Sequence, residues 1–114
     1  MAYQIPKELQ EKIANFEQLK TQLQMIISQK GELDARKREI DASVEALAEN
    51  KEGEVYRRIG DILIKVRDRD ALTAELKEES ETLGVRLKSL ESQEKTAREM
   101  YENLGREINE SLKG

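Results

Sequence analysis

Apolar residues recur at alternating steps of four and three along the first half of the chain. The seam they define consists of Ile5, Leu9, Lys12, Phe16, Leu19, Leu23, Ile26, Lys30, Leu33, Lys37, Ile40, Val44 and Leu47. A repeat that averages 3.5 residues predicts a helix that supercoils around a partner helix. We predict this helix at residues 6–50, with Pro6 in its first turn and Gly53 free to adopt a positive φ after its end.

A matching seam runs through the second half of the chain. It consists of Leu76, Ser80, Leu83, Leu87, Leu90, Glu94, Ala97, Tyr101, Leu104, Ile108 and Ser111. We predict a helix over residues 71–112 with Asp70 as its N-cap. Because neither helix would be stable alone in water, we expect the two to fold back on each other as a long antiparallel coiled coil. We expect the seam lysines Lys12, Lys30 and Lys37 to fix the register from the edge of the seam.

The segment between the helices lacks the helical period and is rich in β-branched residues. Within residues 54–68 we predict a single β-hairpin, with strands at residues 55–59 and 62–67 and a turn at Gly60 and Asp61. The alternation of side chains puts two groups on opposite faces of the second strand, Ile62, Ile64 and Val66 on one face and Leu63, Lys65 and Arg67 on the other.

This hairpin predicts an oligomer. Two isolated strands are marginal in water, and their edges expose unpaired backbone groups. An apolar run at the end of a thin coiled coil also has nothing in its own chain to pack against. We therefore predict a mainly α chain, one domain over residues 1–114, whose hairpin pairs with other subunits in an oligomeric β-barrel platform. The residues predicted for this contact are Val55, Tyr56, Ile59, Gly60, Ile62, Leu63, Ile64 and Val66.

Composition narrows the classes of function. Charged residues make up 39% of the 114 residues and aromatic residues 4%, which fits long helices better than a wide globular core. The chain has no cysteine and no histidine, which argues against zinc and haem sites, thiol nucleophiles and imidazole catalysis. We therefore expect no enzyme, no cofactor and no catalytic or metal site.

The distribution of charge and hydropathy along the chain indicates where the protein is located and which partners it has. The net charge of −4 is spread evenly, without a basic tail, so we expect no nucleic-acid partner. No apolar run approaches the roughly 20 residues that span a bilayer, and the first ten residues lack the apolar core of a signal peptide. We therefore expect a cytoplasmic protein with no membrane partner.

One stretch in the hairpin carries a family resemblance. It reads Val55-Tyr56-Arg57-Arg58-Ile59-Gly60-Asp61-Ile62-Leu63-Ile64-Lys65. This resembles the β-type subunits of the prefoldin family, which typically show Val-Tyr, a basic residue, an aliphatic residue, Gly, two variable residues and an aliphatic run ending in Lys. Residues 19–24 and 90–95 are also similar, and the resemblance covers essentially the whole chain. The even charge and short length look more like an archaeal member than a eukaryotic one.

The sequence departs from the family pattern at two positions. Arg57 stands where members often carry Lys, which keeps the charge, and Asp61 follows the glycine where Pro, Thr or Asn is common. The second hairpin that is typical of α-type subunits is missing. The resemblance therefore points to the β type.

The resemblance also implies a function. Prefoldin is a heterohexamer of two α-type and four β-type subunits, and its hairpins build the β-barrel platform from which six coiled coils project. The ends of the coiled coils hold non-native proteins without ATP and pass them to a group II chaperonin. The partners implied are thus an α-type subunit, non-native client proteins and the chaperonin.

In an antiparallel coil both chain termini lie at one end, so apolar residues there are candidates for client contact. These are Ile5, Leu9, Ile13, Leu104, Ile108 and Leu112. Exposed apolar patches on soluble proteins tend to be binding sites, and several weak contacts to one client add avidity. The alternative interpretation, strongest for Leu9 and Leu104, is that these residues complete the coiled-coil core.

Two other interpretations stay open at this point. The chain can be a structural tether or spacer that binds one defined partner, because composition and period do not separate a tether from a chaperone. The basic residues near the hairpin are Arg57, Arg58, Lys65, Arg67 and Arg69. We interpret them as a solvated strand face or as ion pairs across a subunit interface, because residues 51–70 carry six basic and five acidic side chains.

Overall fold

The computed structural model of the chain describes residues 5–113. Helix α1 spans Lys7–Glu49, strand β1 spans Tyr56–Ile59, strand β2 spans Ile62–Lys65 and helix α2 spans Arg69–Lys113. The two strands form one antiparallel hairpin between the helices. The predicted fold class, two long helices joined by a single β-hairpin, is confirmed. None of the helices within the described range is long and apolar enough to cross a membrane.

Burial along the helices follows the predicted seams. Every seam position of α1 from Leu9 to Leu47 is buried or half-buried, and the only other residues of α1 that are not exposed are Ile13 and Asp34. The seam of α2 is likewise covered from Leu76 to Ile108, whereas Ser111 is exposed. The heptad pattern therefore identifies the packed face of each helix.

The chain divides into two compact units, which we describe separately. The first contains the described residues up to Gly31 together with those from Lys88 onward. In this unit α1 and α2 run antiparallel, since Lys12 lies 3.9 Å from Glu107 and Lys30 donates a hydrogen bond of 3.1 Å to Glu94. The buried apolar residues of the unit are Leu9, Leu23, Leu90 and Ala97.

An aromatic contact lies between these two ion pairs that join α1 and α2. The rings of Phe16 and Tyr101 stack with centroids 4.3 Å apart and planes inclined by 12°. Such pairs contribute about 0.5–1.5 kcal/mol beyond their buried area. A Cβ at Gly105 would lie 3.1 Å from Cε2 of Phe16, so the glycine leaves room for the ring. The close approach accounts for a glycine inside a helix, where it costs on the order of 1 kcal/mol relative to alanine.

The second unit, Glu32–Leu87, contains the end of α1, the hairpin and the start of α2. Its seam holds a polar cluster in which Asp41 accepts hydrogen bonds from Ser80 and, at 3.0 Å, from Lys37. The Ser80 bond, followed by the Lys37 bond, lowers the pKa of Asp41 below its ordinary value. The Lys37 side chain runs past Gly84, where a Cβ would lie 3.4 Å from its Cε.

The seam lysines therefore differ in what they bind. Lys12 and Lys30 pair across the seam with α2, which ties each of them to one register. Lys37 pairs with Asp41 on its own helix and reaches α2 through the bond between Asp41 and Ser80. The polar residues of the seam thus contact polar partners. If one helix were shifted along the other, these residues would face apolar side chains instead.

The start of α2 differs from the prediction. The amide of Ala71 donates to Oδ1 of Asp68 at 3.0 Å, and the amide of Leu72 donates to the carbonyl of Asp68 at 3.2 Å. Asp68, rather than Asp70, is therefore the N-cap. Both aspartates suit a helix start, and the backbone leaving β2 positions the first of them to cap.

The end of α1 also differs from the prediction. Gly53 has no positive φ; within the described residues only Gly60 does. The last carbonyls of α1 and of the following turn are instead bound by the guanidinium of Arg69. It donates to the carbonyls of Leu47 (3.0 Å), Asn50, Lys51 (2.9 Å) and Gly53 (3.3 Å). A planar group with five N–H donors thus satisfies acceptors that a helix end leaves open.

We predict that Arg69→Lys lowers the free energy of unfolding by about 1–2 kcal/mol, because an ammonium cannot reach four carbonyls at once. Thermal unfolding followed by circular dichroism at fixed protein concentration measures this. Arg67→Lys, at an exposed position two residues earlier, is the matched control and should leave the midpoint unchanged. Equal midpoints for both variants would show that Arg69 has no capping role.

A second prediction concerns the stability of the fold at acid pH. The pKa of Glu94 is held below its ordinary value of 4.5 by hydrogen bonds from Arg98 and Lys30. Folding therefore favours the carboxylate, and this stabilisation is complete above pH 4.5 and disappears as pH falls through the lowered pKa. We expect the midpoint of unfolding to fall over this acid window, and Glu94→Gln to reduce that dependence, with Asp41, whose pKa is also lowered, still contributing. A variant with the same acid dependence as the wild type would contradict this assignment.

Candidate functional site

The register of the hairpin sorts its side chains onto two faces. Tyr56 lies opposite Lys65, Arg57 opposite Ile64, Arg58 opposite Leu63 and Ile59 opposite Ile62. Because directly opposed residues share a face, one face carries Arg57, Ile59, Ile62 and Ile64, and the other carries Tyr56, Arg58, Leu63 and Lys65. The predicted separation of Ile62 and Ile64 from Leu63 and Lys65 is confirmed.

The turn of the hairpin falls where it is predicted, at Gly60 and Asp61. Gly60 has a φ of 61°, and Asp61 does not have a positive φ. A positive φ at the first central residue alone is the pattern of a type II′ turn, whose twist matches that of the flanking strands. The side chain of Arg58 donates to the carbonyl of Gly60 at 3.0 Å and so supports the turn.

The hairpin leaves its large apolar side chains uncovered on both faces. The exposed fractions of Tyr56, Ile59, Ile62, Leu63 and Ile64 lie between 49% and 66%. At the base of the hairpin, the half-buried residues Val55 and Val66 are joined by a backbone hydrogen bond of 2.8 Å. The structure thus brings the predicted assembly residues together on one short ribbon, with apolar surface that its own chain does not bury.

Two glutamates outside the predicted set hold this ribbon in place. The guanidinium of Arg57 makes a bidentate pair with Glu75 on α2, with distances of 3.3 and 3.2 Å. Glu54 accepts from the Tyr56 hydroxyl at 2.7 Å and from Lys65 at 3.2 Å. These two hydrogen bonds, the Tyr56 bond first, lower the pKa of Glu54, and the carboxylate in turn raises the pKa of Tyr56.

Four of the five basic residues near the hairpin therefore bind partners within their own chain, and Arg58 does so through the Gly60 carbonyl. Arg57 binds Glu75, Lys65 binds Glu54, and Arg69 caps α1. Of the sequence interpretations, ion pairing describes Arg57 and Lys65, but within one subunit. The involvement of Glu54 and Glu75 has no sequence signature, because isolated glutamates occur throughout this chain.

A crevice of about 680 Å³ lies beside β1, between the end of α1 and the start of α2. Its wall includes Arg36, which pairs with Glu79 at 3.1 Å, and Arg57, which pairs with Glu75. Across the described part of the chain, no group of three or more acidic, cysteine or histidine side chains is arranged to hold a metal ion. Two of the four arginines that line the crevice, Arg36 and Arg57, are thus paired with carboxylates at hydrogen-bonding distance.

The predicted client-binding residues all lie in the first unit, where α1 begins and α2 ends, and we call them the terminal set. Ile5 and Leu112 are the most exposed, at 45% and 67%. Three more, Ile13, Leu104 and Ile108, are half-buried. Leu9 is buried. In this conformation it packs in the seam, as the alternative interpretation has it.

Comparison of the sequence with known proteins identifies relatives of this chain. The family model described as prefoldin subunit matches residues 10–114. The chain is 34% identical over 113 residues to the prefoldin subunit beta of Saccharolobus islandicus, covering 98% of this chain and 89% of the relative. It is 36% identical over 110 residues to the prefoldin subunit beta of Pyrobaculum islandicum, covering 96% and 87%.

A solved structure agrees with these relatives. The crystal structure of the prefoldin beta subunit from Thermococcus strain KS-1 matches with a TM-score of 0.83 and 31% identity, and the match covers 99% of each chain. Family membership makes the chain a chaperone subunit and implies assembly with other prefoldin subunits. The chain therefore belongs to the prefoldin family, among its β-type subunits.

Proposed function

We propose that this chain is a subunit of an ATP-independent chaperone that holds non-native proteins, prevents their aggregation and transfers them to a group II chaperonin. In the proposed assembly, two α-type and four β-type subunits form a cytoplasmic hexamer whose hairpins build a β-barrel. The observation that carries the proposal is the uncovered apolar surface of the hairpin, in a chain that belongs to a chaperone family.

The exposed strands support assembly through the hairpin. Ile59, Ile62 and Ile64 lie on one face, so the hairpin has a mainly aliphatic face that a neighbouring subunit could bury. Among residues 5–113, no further strand lies beside the outer edges of β1 and β2. Pairing with strands of neighbouring subunits would satisfy the edges, and closure into a barrel would cover one face.

We predict that Ile62→Asp combined with Ile64→Asp abolishes the hexamer but leaves the helical content unchanged, because charges would replace the apolar side chains that the barrel buries. Native mass spectrometry and far-ultraviolet circular dichroism measure the two properties. Val85→Asp, which replaces an equally exposed apolar residue of α2, is the control and should assemble normally.

The composition of the natural assembly tests the same proposal without variants. A six-subunit particle with a larger second subunit in a two-to-four ratio is the expected result. A homodimer, or a single fixed partner of unrelated type, would contradict the hexamer and favour the tether interpretation.

The terminal set supports client holding. Its exposed members give apolar contact surface, and its half-buried members add surface when the helix ends fray. The surrounding charged residues would keep these ends from binding one another; they include Lys7, Glu8, Glu11, Glu102, Arg106 and Glu110. Each contact is small, so holding depends on several subunits acting on one client.

We predict that replacing Ile5, Ile13, Ile108 and Leu112 with Ser weakens client binding about tenfold or more. Each subunit then loses apolar contact area, and the losses combine because several subunits bind one client. Suppression of aggregation of a thermally unfolded enzyme, measured by light scattering without nucleotide, is the readout. The assembly should keep its mass.

The control for this prediction removes similar apolar surface elsewhere. Ile27→Ser combined with Val85→Ser replaces two exposed apolar residues outside the terminal set and should leave suppression unchanged. If the terminal variant suppressed aggregation as well as the wild type, the terminal set would not be the client-binding surface.

A further inference from the structure

A groove of about 530 Å³ runs between α1 and α2 in the first unit. Its lining includes Leu19, Met25, Ile26, Ala97 and Met100, and none of its lining residues is charged. This absence is informative because charged residues make up 39% of the chain. The groove is thus a neutral, apolar strip on an otherwise charged surface.

One small residue of the seam lines the groove. Ala97 is buried at a seam position, and its methyl group is smaller than the side chains of Leu83, Leu87 and Leu90 at theirs. Fixed contacts flank this stretch of the seam, the Lys30–Glu94 ion pair on one side and the stack of Phe16 on Tyr101 on the other. The depression therefore persists because the helices are held on both sides of it.

The sides of the groove are formed by flexible apolar side chains. Met25 and Met100 are 60% and 52% exposed. Methionine is unbranched and polarizable, so it adapts to partners of different shape and occurs often at promiscuous binding surfaces. A groove with a small residue in its floor and methionines at its sides can accept side chains of varied size.

The polar residues of the groove point to the chemistry of the occupant. Gln22, Gln29 and Gln93 line it, and each amide group offers both donors and an acceptor. An unfolded segment brings unpaired backbone N–H and C=O groups beside its apolar side chains, and the amides can bond both. In the proposed assembly the apolar hairpins are buried in the barrel, so a second copy of this chain would present its charged helix surface to an uncharged groove, which is a poor match.

We propose that this groove binds an extended, uncharged apolar segment of a non-native polypeptide, as a client contact separate from the terminal set. The inference rests on the proposed holding function and adds a second surface to it. It assigns Met25 and Met100 to client contact and makes Ala97 the residue that keeps the groove open.

The test fills the groove without adding charge. Ala97→Leu, in the full chain and its natural assembly, should occupy the floor and weaken binding of reduced, carboxymethylated α-lactalbumin about fivefold or more, with no loss of thermal stability. The readout is the fluorescence anisotropy of the labelled probe. Ala42→Leu, which makes the same change at an exposed position of α1, is the matched control and should bind as the wild type does.

A second variant removes the methionines and leaves the floor intact. Met25→Gln combined with Met100→Gln should weaken probe binding by a similar factor, while Val85→Gln, at a comparably exposed apolar residue, should not. Because the chain has no cysteine, a photo-crosslinker on Met25→Cys should attach to the probe, and one on Val85→Cys should not.

The outcomes separate the two proposals. A wild-type assembly that does not bind the probe would overturn the holding function and the groove together. Binding that falls in the terminal variant but stays at the wild-type value in Ala97→Leu and in the methionine variant would overturn the groove alone. A changed native mass in the groove variants would assign the groove to another subunit and also overturn it.

Discussion

A pair of long helices has a single seam in which to bury apolar side chains, and this constraint governs the rest of the molecule. A helix that contacts one partner keeps most of its circumference in water, so the chain needs many charged residues and few large apolar ones. Most apolar residues off the seam remain exposed unless another chain covers them. The exposed ones include two methionines and five residues of the hairpin strands: Met25, Met100, Tyr56, Ile59, Ile62, Leu63 and Ile64. In this architecture, surplus apolar surface therefore indicates contact with other molecules more reliably than it does in a globular domain.

The polar residues of the seam serve a different purpose from the apolar ones. Leucines alone would allow the helices to slide past one another by whole heptads at little cost, because each register would bury similar surface. Lys30 beside Glu94, and Asp41 beside Ser80, remove that freedom, since a slide would leave their polar groups against apolar neighbours. The glycine at position 105 adds a steric condition, because a Cβ there would lie 3.1 Å from the Phe16 ring. Register is thus fixed by a few residues that contribute little apolar burial.

The sequence predicted the periodic features well and the individual hydrogen bonds poorly. The seams, the hairpin and the turn at Gly60 follow from local periodicity and turn chemistry, which are written in neighbouring residues. The hydrogen bonds of Arg69 to the carbonyls at the end of α1, and those of Glu54 to Tyr56 and Lys65, join groups that meet only after folding. No local sequence pattern therefore predicts them. The capping aspartate was misplaced by two residues because Asp68 and Asp70 are chemically equivalent in the sequence. For the terminal set, periodicity indicated which residues face the seam, but the burial of Leu9 and the exposure of Leu112 required the structure.

The guanidinium of Arg69 has a mechanical consequence. It lies at the first residue of α2 and binds carbonyls at the end of α1, so it bridges the two helices where the hairpin leaves them. A force that pulls the helices apart would concentrate at the point where the two helices begin to separate, which is this junction. Several hydrogen bonds to one rigid planar group must break together there, whereas a row of separate bonds would break in turn. The junction therefore resists a force that would separate the helices from the hairpin that joins them.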